Sequence, residues 1–322
     1  MSKRRDFMLA LGAAALGHPL AALSQGAGTV RLLVGFPAGA TGDRIARVVA
    51  PAMASYLNTA VIVDNRPGAG GQLAIESARN GAADGTLLLQ TIGSSMVIYP
   101  HTYRSLRYDP FKDFIPIGTV ATAPIAFVAA ADVPAKTMAE AVSLLQRDKK
   151  FGFYGSPASG SVFHFSGVLL QRALGADFTH VAYKGSAPLL SDVLGGQVPF
   201  AFMAPSDILE HYRAGKLQVL AITGQTRASQ LPDVPTFPEA GFKDLVNREW
   251  FSYFLARGTP AETVARYGAA LRKVVASEEV RSKLLGAGLE IGEGEAAPLA
   301  ATMQREYGQW NKIVKDIGFS AD

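Results

Sequence analysis

Short apolar runs alternate with segments of helical periodicity along almost the whole chain, and this alternation constrains the fold more than any other feature. VRLLV at residues 30–34 and LQVLAIT at residues 217–223 are typical of buried strands. TMAEAVSLLQRD at residues 137–148 is typical of an amphipathic helix. Regular alternation of this kind predicts an α/β protein with mainly parallel sheets covered by helices.

The strands and helices divide into blocks. Residues 125–247 contain their own complete set of strands and helices, whereas the two C-terminal helices have no sheet of their own. We therefore expect a first lobe from residues 25–124, a second lobe from residues 125–247, and a return to the first lobe over residues 248–322. Two lobes joined by at least two crossings predict a ligand cleft between them.

The first 24 residues have the composition of a signal peptide. MSKRRDF supplies a positive segment, MLALGAAAL a short apolar segment, and AALSQ small residues for cleavage near Ser24. The apolar segment is too short to span a bilayer. Arg4 and Arg5 resemble a twin-arginine signal, with the general secretory route as the alternative. We expect an exported, periplasmic protein.

Charge and cysteine content exclude several classes of function. The chain carries a formal charge of +4, and half of it lies in the predicted signal peptide, at Lys3, Arg4, Arg5 and Asp6. No basic run remains that would indicate a nucleic-acid partner. The absence of cysteine excludes disulfides, thiol catalysis and Cys-ligated metal. The histidines show no metal-ligand spacing, so we expect neither metal nor cofactor.

The stretch GFPAGATGD, residues 35–43, joins a predicted strand to a predicted helix through small and apolar residues. Such a turn leaves the first N–H groups of the helix uncovered, and together with the helix dipole they favour an anion. A tight turn that needs glycine only for its backbone angles is the alternative. A carboxylate would repel an anion, so Asp43 is interpreted as a loop residue that caps the helix and pairs with Arg44 or Arg47.

Several long motifs occur in one order: GFPAGATGD, VDNRPGAGG (63–71), ADGTLLL (83–89), YDPFKDFIPIG (108–118), VAYKGSAPLLSDVLGGQV (181–198), AGKLQVLAIT (214–223) and LPDVPTFPEAGF (231–242). In these motifs the chain resembles the Bug (Bordetella uptake gene), or TctC-like, family of periplasmic solute-binding components of tripartite tricarboxylate transporters. The resemblance implies a two-lobed, Venus-flytrap fold of the type II periplasmic binding kind. It also implies a small carboxylate ligand, a membrane permease as partner and no enzymatic activity; we expect a monomer.

The resemblance implies two binding loops, residues 36–43 and residues 154–164. Ala40 stands where the family usually has a second glycine, and its methyl group is expected to narrow the site or shift a water. Ser94 and Ser95 follow a strand at its expected carboxyl end, and Tyr183 and Lys184 precede a helix. The predicted ligand contacts are Phe36, Pro37, Ala38, Gly39, Ala40, Thr41, Gly42, Ser94, Ser95, Ser159, Gly160, Ser161, His164, Tyr183 and Lys184.

Some of these residues have other interpretations. A lone histidine such as His164 is more often a helix-packing or capping residue than a ligand contact. Lys184 equally suits a solvated or interlobe salt-bridge lysine. An exported serine hydrolase would use Ser156 or Ser161 with His164 and an acid such as Asp207, but the sequence has no G-x-S-x-G elbow. A dinucleotide site fails because Leu73 replaces the third glycine of G-x-G-x-x-G. A ligand-binding input to a membrane signalling partner stays open.

We predict that Thr41→Glu abolishes carboxylate binding, because it places a second negative charge inside the anion-binding loop. His164→Ala should weaken binding modestly or not at all. Isothermal titration calorimetry of both variants tests the prediction, and full affinity in Thr41→Glu would contradict the placement of the site.

Overall fold

The computed structural model describes residues 28–321, so the predicted signal peptide at residues 1–24 lies outside the described residues. The strands are β1 (Val30–Val34), β2 (Val61–Asn65), β3 (Leu87–Ile92), β4 (Phe114–Pro124), β5 (Ala126–Ala130), β6 (Phe153–Ser156), β7 (Thr179–Ala182), β8 (Phe200–Met203), β9 (Leu217–Ile222), β10 (Arg248–Ala256) and β11 (Glu290–Ile291). The helices are α1 (Thr41–Leu57), α2 (Gln72–Arg79), α3 (Gly93–Val97), α4 (Tyr99–Thr102), α5 (Met138–Arg147), α6 (Val162–Leu174), α7 (Ser186–Leu194), α8 (Pro205–Arg213), α9 (Ala261–Ala276), α10 (Glu278–Gly286) and α11 (Ala296–Ile317). None of the described helices is both long and apolar enough to cross a membrane.

The strands form two sheets, one of six strands in the order β11-β4-β10-β3-β1-β2 and one of five in the order β7-β6-β8-β5-β9. In the first sheet, consecutive residues Leu32, Leu33 and Val34 of β1 are all buried, so helices cover both faces. In the second, the Phe127 ring stacks on Phe202 with the ring centres 4.8 Å apart. Apolar side chains therefore pack on both sheets, and together they form one continuous core.

The expectation of mainly parallel sheets is wrong in part. β1 runs parallel to β2 and β3, and β6 runs parallel to β7 and β8. β10 runs antiparallel to β3 and β4, and β5 runs antiparallel to β8 and β9. β5 and β10 each enter their sheet from the other sheet, without the crossover helix that parallel pairing usually needs. The short strand β11 also runs antiparallel to β4.

Thr223 joins the two segments that cross between the sheets. Its backbone N–H donates to the Ile125 carbonyl, and its hydroxyl accepts from the Ile125 N–H, both at 2.8 Å. The same hydroxyl donates to the carbonyl of Asn247. Ile125 lies between β4 and β5, and Asn247 directly precedes β10. The outgoing and returning crossings are therefore fastened side by side at one buried threonine.

Beside the returning crossing, the carboxyl group of Glu249 is buried. One of its oxygens accepts from the Ser94 hydroxyl at 2.6 Å, and the other accepts from the N–H groups of Ser94 and Trp250 at 3.1 and 3.2 Å. The Ser94 hydroxyl also accepts from the N–H of Val162, the first residue of α6, at 2.9 Å. Glu249 is thus linked through Ser94 to a helix that packs on the second sheet.

We predict that Glu249 makes the stability of the protein fall as pH rises from about 4.5 to about 7. Burial raises the pKa of Glu249 from 4.5 to about 7, despite the hydrogen bonds from Ser94 and Trp250. Between these values the folded protein holds a proton that the unfolded chain has released, so the free energy of unfolding declines with rising pH. The decline should amount to up to about 3 kcal/mol.

Urea denaturation of the wild type and of Glu249→Gln at pH 5 and pH 8 measures this decline as the difference between their pH profiles. The comparison is needed because burial lowers the pKa of His164 and His180, and both make stability rise with pH over the same range. Glu249→Gln should remove the decline, because the amide is neutral at both pH values. Glu293→Gln, a change at an exposed glutamate, is the matched control and should leave the pH profile as in the wild type. A Glu249→Gln profile identical to that of the wild type would contradict the prediction.

Helix α6 approaches β6 closely because it has glycine at position 167. A Cβ atom at Gly167 would lie 2.1 Å from the Tyr154 ring. Tyr154 is fully buried, and its hydroxyl donates to the His164 carbonyl at 3.0 Å. The ring therefore has no room to move, and the glycine sets the distance of α6 from the second sheet.

Gly167→Ala should destabilise the protein by about 1–3 kcal/mol, because the added methyl group overpacks the buried Tyr154 ring. Gly308→Ala is a matched control in helix α11, where a Cβ meets no heavy atom within 4 Å. Alanine is the better helix former, so the control should gain up to about 1 kcal/mol. Thermal unfolding followed by circular dichroism compares the two, and equal midpoints would contradict the close approach.

Candidate functional site

The loop between β1 and α1 is held by Asp43. Its carboxylate accepts hydrogen bonds from the Gly39 N–H at 2.8 Å and from Arg47 Nε at 2.9 Å, while Gly39 adopts a φ of +83°. Burial would raise the pKa of Asp43, but the bonds from Arg47 and Gly39 outweigh it and hold the pKa below its usual range. Of the two arginines predicted as partners, Asp43 pairs with Arg47, so that part of the interpretation is confirmed. The predicted helix cap is wrong, because Asp43 is the third residue of α1 and its carboxylate bonds to Gly39, which precedes the helix.

The first turns of four helices meet around one small cavity between the two sheets. Thr41 and Gly42 begin α1, Phe163 is the second residue of α6, Ser186 begins α7, and Asp207 is the third residue of α8. The cavity has a volume of about 40 Å³, and its walls are Phe36, Ala40, Thr41, Gly42, Ile92, Pro157, Ala158, Phe163, Ser186, Asp207 and Phe251. Because helix N-termini carry partial positive charge, their convergence makes this an anion-favouring space.

The start of α1 is bonded directly to the start of α8. The Thr41 hydroxyl donates to Asp207 Oδ1 at 3.0 Å and lies 2.8 Å from the Ser206 hydroxyl. Arg44 donates to the Ser206 carbonyl at 2.9 Å and forms an ion pair with Asp207. Arg44 also donates to the Gly39 carbonyl at 2.7 Å, so the same side chain holds the first loop. The two halves of the site are closed on each other.

Sequence reasoning did not assign Asp207 and Arg44 to this contact. Asp207 entered only as the acid of a hydrolase, and Arg44 only as a partner of Asp43. Asp207 follows β8 in the first turn of α8, at the carboxyl end of a strand, and that position was the available signal. Its partner was not predictable, because residues 44 and 207 meet only when both sheets are assembled.

The residues predicted from sequence fall into separate groups. Four of them lie in the cavity wall: Phe36, Ala40, Thr41 and Gly42. A neighbouring groove of about 500 Å³ shares Phe36, Pro157 and Ala158 with the cavity and also contains Pro37, Ser159, Tyr183 and Lys184. Ala38 and Gly39 belong to the loop but to neither wall. The cavity and the groove therefore bring together residues of both predicted loops.

Four further predicted residues lie outside the walls of the cavity and the groove. The Ser94 hydroxyl lies between Glu249 and Val162, as described above. Ser95 is fully buried, and its hydroxyl has no hydrogen-bond partner among the described residues. The Ser161 hydroxyl donates to the Ala158 carbonyl at 2.7 Å, and the Gly160 N–H donates to His164 Nδ1 at 3.1 Å. These contacts fix the second loop rather than line the cavity.

His164 lies on the far side of that loop. Its ring stacks on His180 with 3.8 Å between the ring centres, and both rings border a separate surface hollow of about 700 Å³. Burial, assisted by His180, lowers the pKa of His164 to about 3, so the ring is neutral at physiological pH. The Ser156 hydroxyl contacts His180 at 2.7 Å rather than His164, and Ser156 is fully buried.

Comparison with known proteins identifies the family of the chain. Residues 45–319 match the model of the family described as "Tripartite tricarboxylate transporter family receptor". Protein BugT of Bordetella pertussis is 28% identical over 316 residues, which cover 96% of this chain and 95% of BugT.

Two solved structures show the same two-domain fold. Rpa4515 of R. palustris, solved with adipate, is 30% identical with a TM-score of 0.86 over 91% of this chain and 98% of that one. MatC (Rpa3494) of Rhodopseudomonas palustris, solved with malate, is 30% identical with a TM-score of 0.82 over 89% of this chain and 98% of that one. The chain is a member of the tripartite tricarboxylate transporter receptor family of periplasmic solute-binding proteins.

Proposed function

We propose that this protein captures a small organic carboxylate in the cavity between its lobes and delivers it to the membrane permease of a tripartite transporter. The observation that carries the proposal is the convergence of four helix N-termini on one cavity between the two sheets. The adipate of Rpa4515 and the malate of MatC support a carboxylate as the ligand.

Binding through helix N-termini suits reversible capture. A helix terminus stabilises a nearby anion by about 0.3–1 kcal/mol at an exposed site and up to about 2 kcal/mol at a partly buried one. Several such termini together hold a carboxylate without a buried lysine or arginine against it, and the described cavity wall contains neither. A ligand held by dipoles and hydrogen bonds can leave without stranding an unpaired buried cation.

Closure of the lobes is the conformational change that the transporter would recognise. The contacts of Thr41 and Arg44 with Ser206 and Asp207 belong to the closed form, and the two crossings at Thr223 are the natural hinge. A bound anion that touches both lobes shifts the equilibrium towards closure by its differential affinity for that form. We assign the lobes to residues 25–124 with 248–322 and to residues 125–247.

The remaining parts of the proposal follow from this role. The protein acts as a monomer without catalytic activity, and residues 1–24 direct its export and are removed near Ser24. The ligand-contacting residues are those in the walls of the cavity and the groove. Ala40 places its methyl group in the cavity wall, where it narrows the space beside Thr41.

A thermal-shift screen of residues 25–322 tests the proposal. The protein is first unfolded and refolded to remove co-purified ligand, and is then screened against mono-, di- and tricarboxylates, amino acids and aromatic acids. A ligand at about 100 times its dissociation constant adds about 2.7 kcal/mol of stability, which raises the unfolding midpoint by roughly 5 °C. The matched amides, which lack the charge, should give no shift. If none of the acids shifts the unfolding midpoint, the proposed function is contradicted.

A further inference from the structure

The cavity between the lobes already contains one carboxylate, that of Asp207. The side chain of Asp207 is 7% exposed and lies in the cavity wall. Its ion-pair partner Arg44 is 40% exposed and does not belong to the wall. Asp207 therefore borders the ligand space, whereas Arg44, which compensates its charge, lies on the solvent side of the ion pair.

Three donors hold this carboxylate in place. Thr41 and Ser186, which also line the cavity, donate hydrogen bonds to it, and Arg44 adds its ion pair. Burial raises the pKa of Asp207, and the charge of Arg44 and these hydrogen bonds act against that rise. Asp207 lies in the first turn of α8, so its carboxylate takes up an anion-favouring position that a ligand would otherwise use.

Most of the remaining wall is apolar. Four large side chains form it, together with Pro157 and Ala158: Phe36, Ile92, Phe163 and Phe251. No residue of the described wall is basic. Inside this cavity, a second ligand carboxylate would meet either these apolar side chains or the negative charge of Asp207, and both are unfavourable for a buried anion.

We propose that Asp207 acts as a resident carboxylate that excludes a second acid group, so that the ligand is a small monocarboxylate with an apolar body. This inference rests on the proposed function, since it concerns the ligand of the same cavity. The helix termini of α1, α6 and α7 receive the single ligand carboxylate, and the aromatic and aliphatic wall receives its hydrocarbon part.

Isothermal titration calorimetry with acids matched in chain length tests this selectivity. The probes are butanoate against succinate and pentanoate against glutarate, each titrated into ligand-free residues 25–322. The wild-type protein should bind each monocarboxylate at least roughly tenfold more tightly than its dicarboxylate, because like charges in a buried site repel strongly. Asp207→Asn keeps the size of the side chain and removes its charge, and it should bring each pair within roughly threefold.

Two further variants separate the effect of the Asp207 charge from the effect of releasing Arg44 and from nonspecific effects of substitution. Asp207→Asn also frees Arg44, which would attract a second carboxylate by itself. Arg44→Gln/Asp207→Asn removes both charges and should show the same narrowed preference if Asp207 is the selective group. Asp244→Asn, at an exposed aspartate of the second lobe, is the matched control and should keep the wild-type ratio.

The outcomes distinguish the inference from the function on which it rests. Equal or tighter binding of the dicarboxylates by the wild type would overturn the inference while leaving the proposed function intact. An unchanged ratio in folded Asp207→Asn and in the double variant would overturn the role of Asp207. Failure of every acid to bind the wild type would overturn both, and the wild-type ratio decides the ligand class even if a variant does not fold.

Discussion

The contact between the start of α1 and the start of α8 determines how the two halves of this protein meet at the cavity. Apolar contacts also join the lobes, as where Phe165 of α6 packs on Trp310 and Phe319. The hydrogen bonds of Thr41 and the ion pair of Arg44 with Asp207 add a polar contact beside the cavity. This contact brings helix termini from both lobes to one point.

The hinge side of the molecule is arranged differently. Thr223 fastens both crossings through backbone groups, which limits the path along which the lobes can separate. Glu249 adds a buried acid beside the returning strand, and Ser94 relays its hydrogen bond to the first N–H of α6. A helix terminus of the second lobe thus finds a partner on the first lobe, and it belongs to α6, one of the helices that begin at the cavity.

The cavity itself combines four helix N-termini with a scarcity of charged side chains. Small residues in the first loop let backbone groups approach the space, and Asp43 holds that loop from outside it through Gly39 and Arg47. Asp207 is the acid in the wall, and Arg44 lies outside it. The helix dipoles therefore favour an anion in the cavity, while the negative charge of Asp207 opposes one. Such a balance favours selective and reversible capture over permanent retention.

The alternation of apolar runs and amphipathic helices determined the α/β class and the two-sheet layout, because period and length of apolar segments depend on local sequence alone. The role of Asp43 was also local, since its partners lie four residues away on either side. The antiparallel insertion of β5 and β10 was not predictable, because it depends on which sheet a strand enters. The contacts of Arg44 with Asp207, of Ser94 with Glu249, and of Ser156 with His180 join residues far apart in the chain. The sequence by itself determined where anion-binding helix termini occur; only the tertiary structure decided which of them meet and which acid lies among them, because that requires both lobes in place.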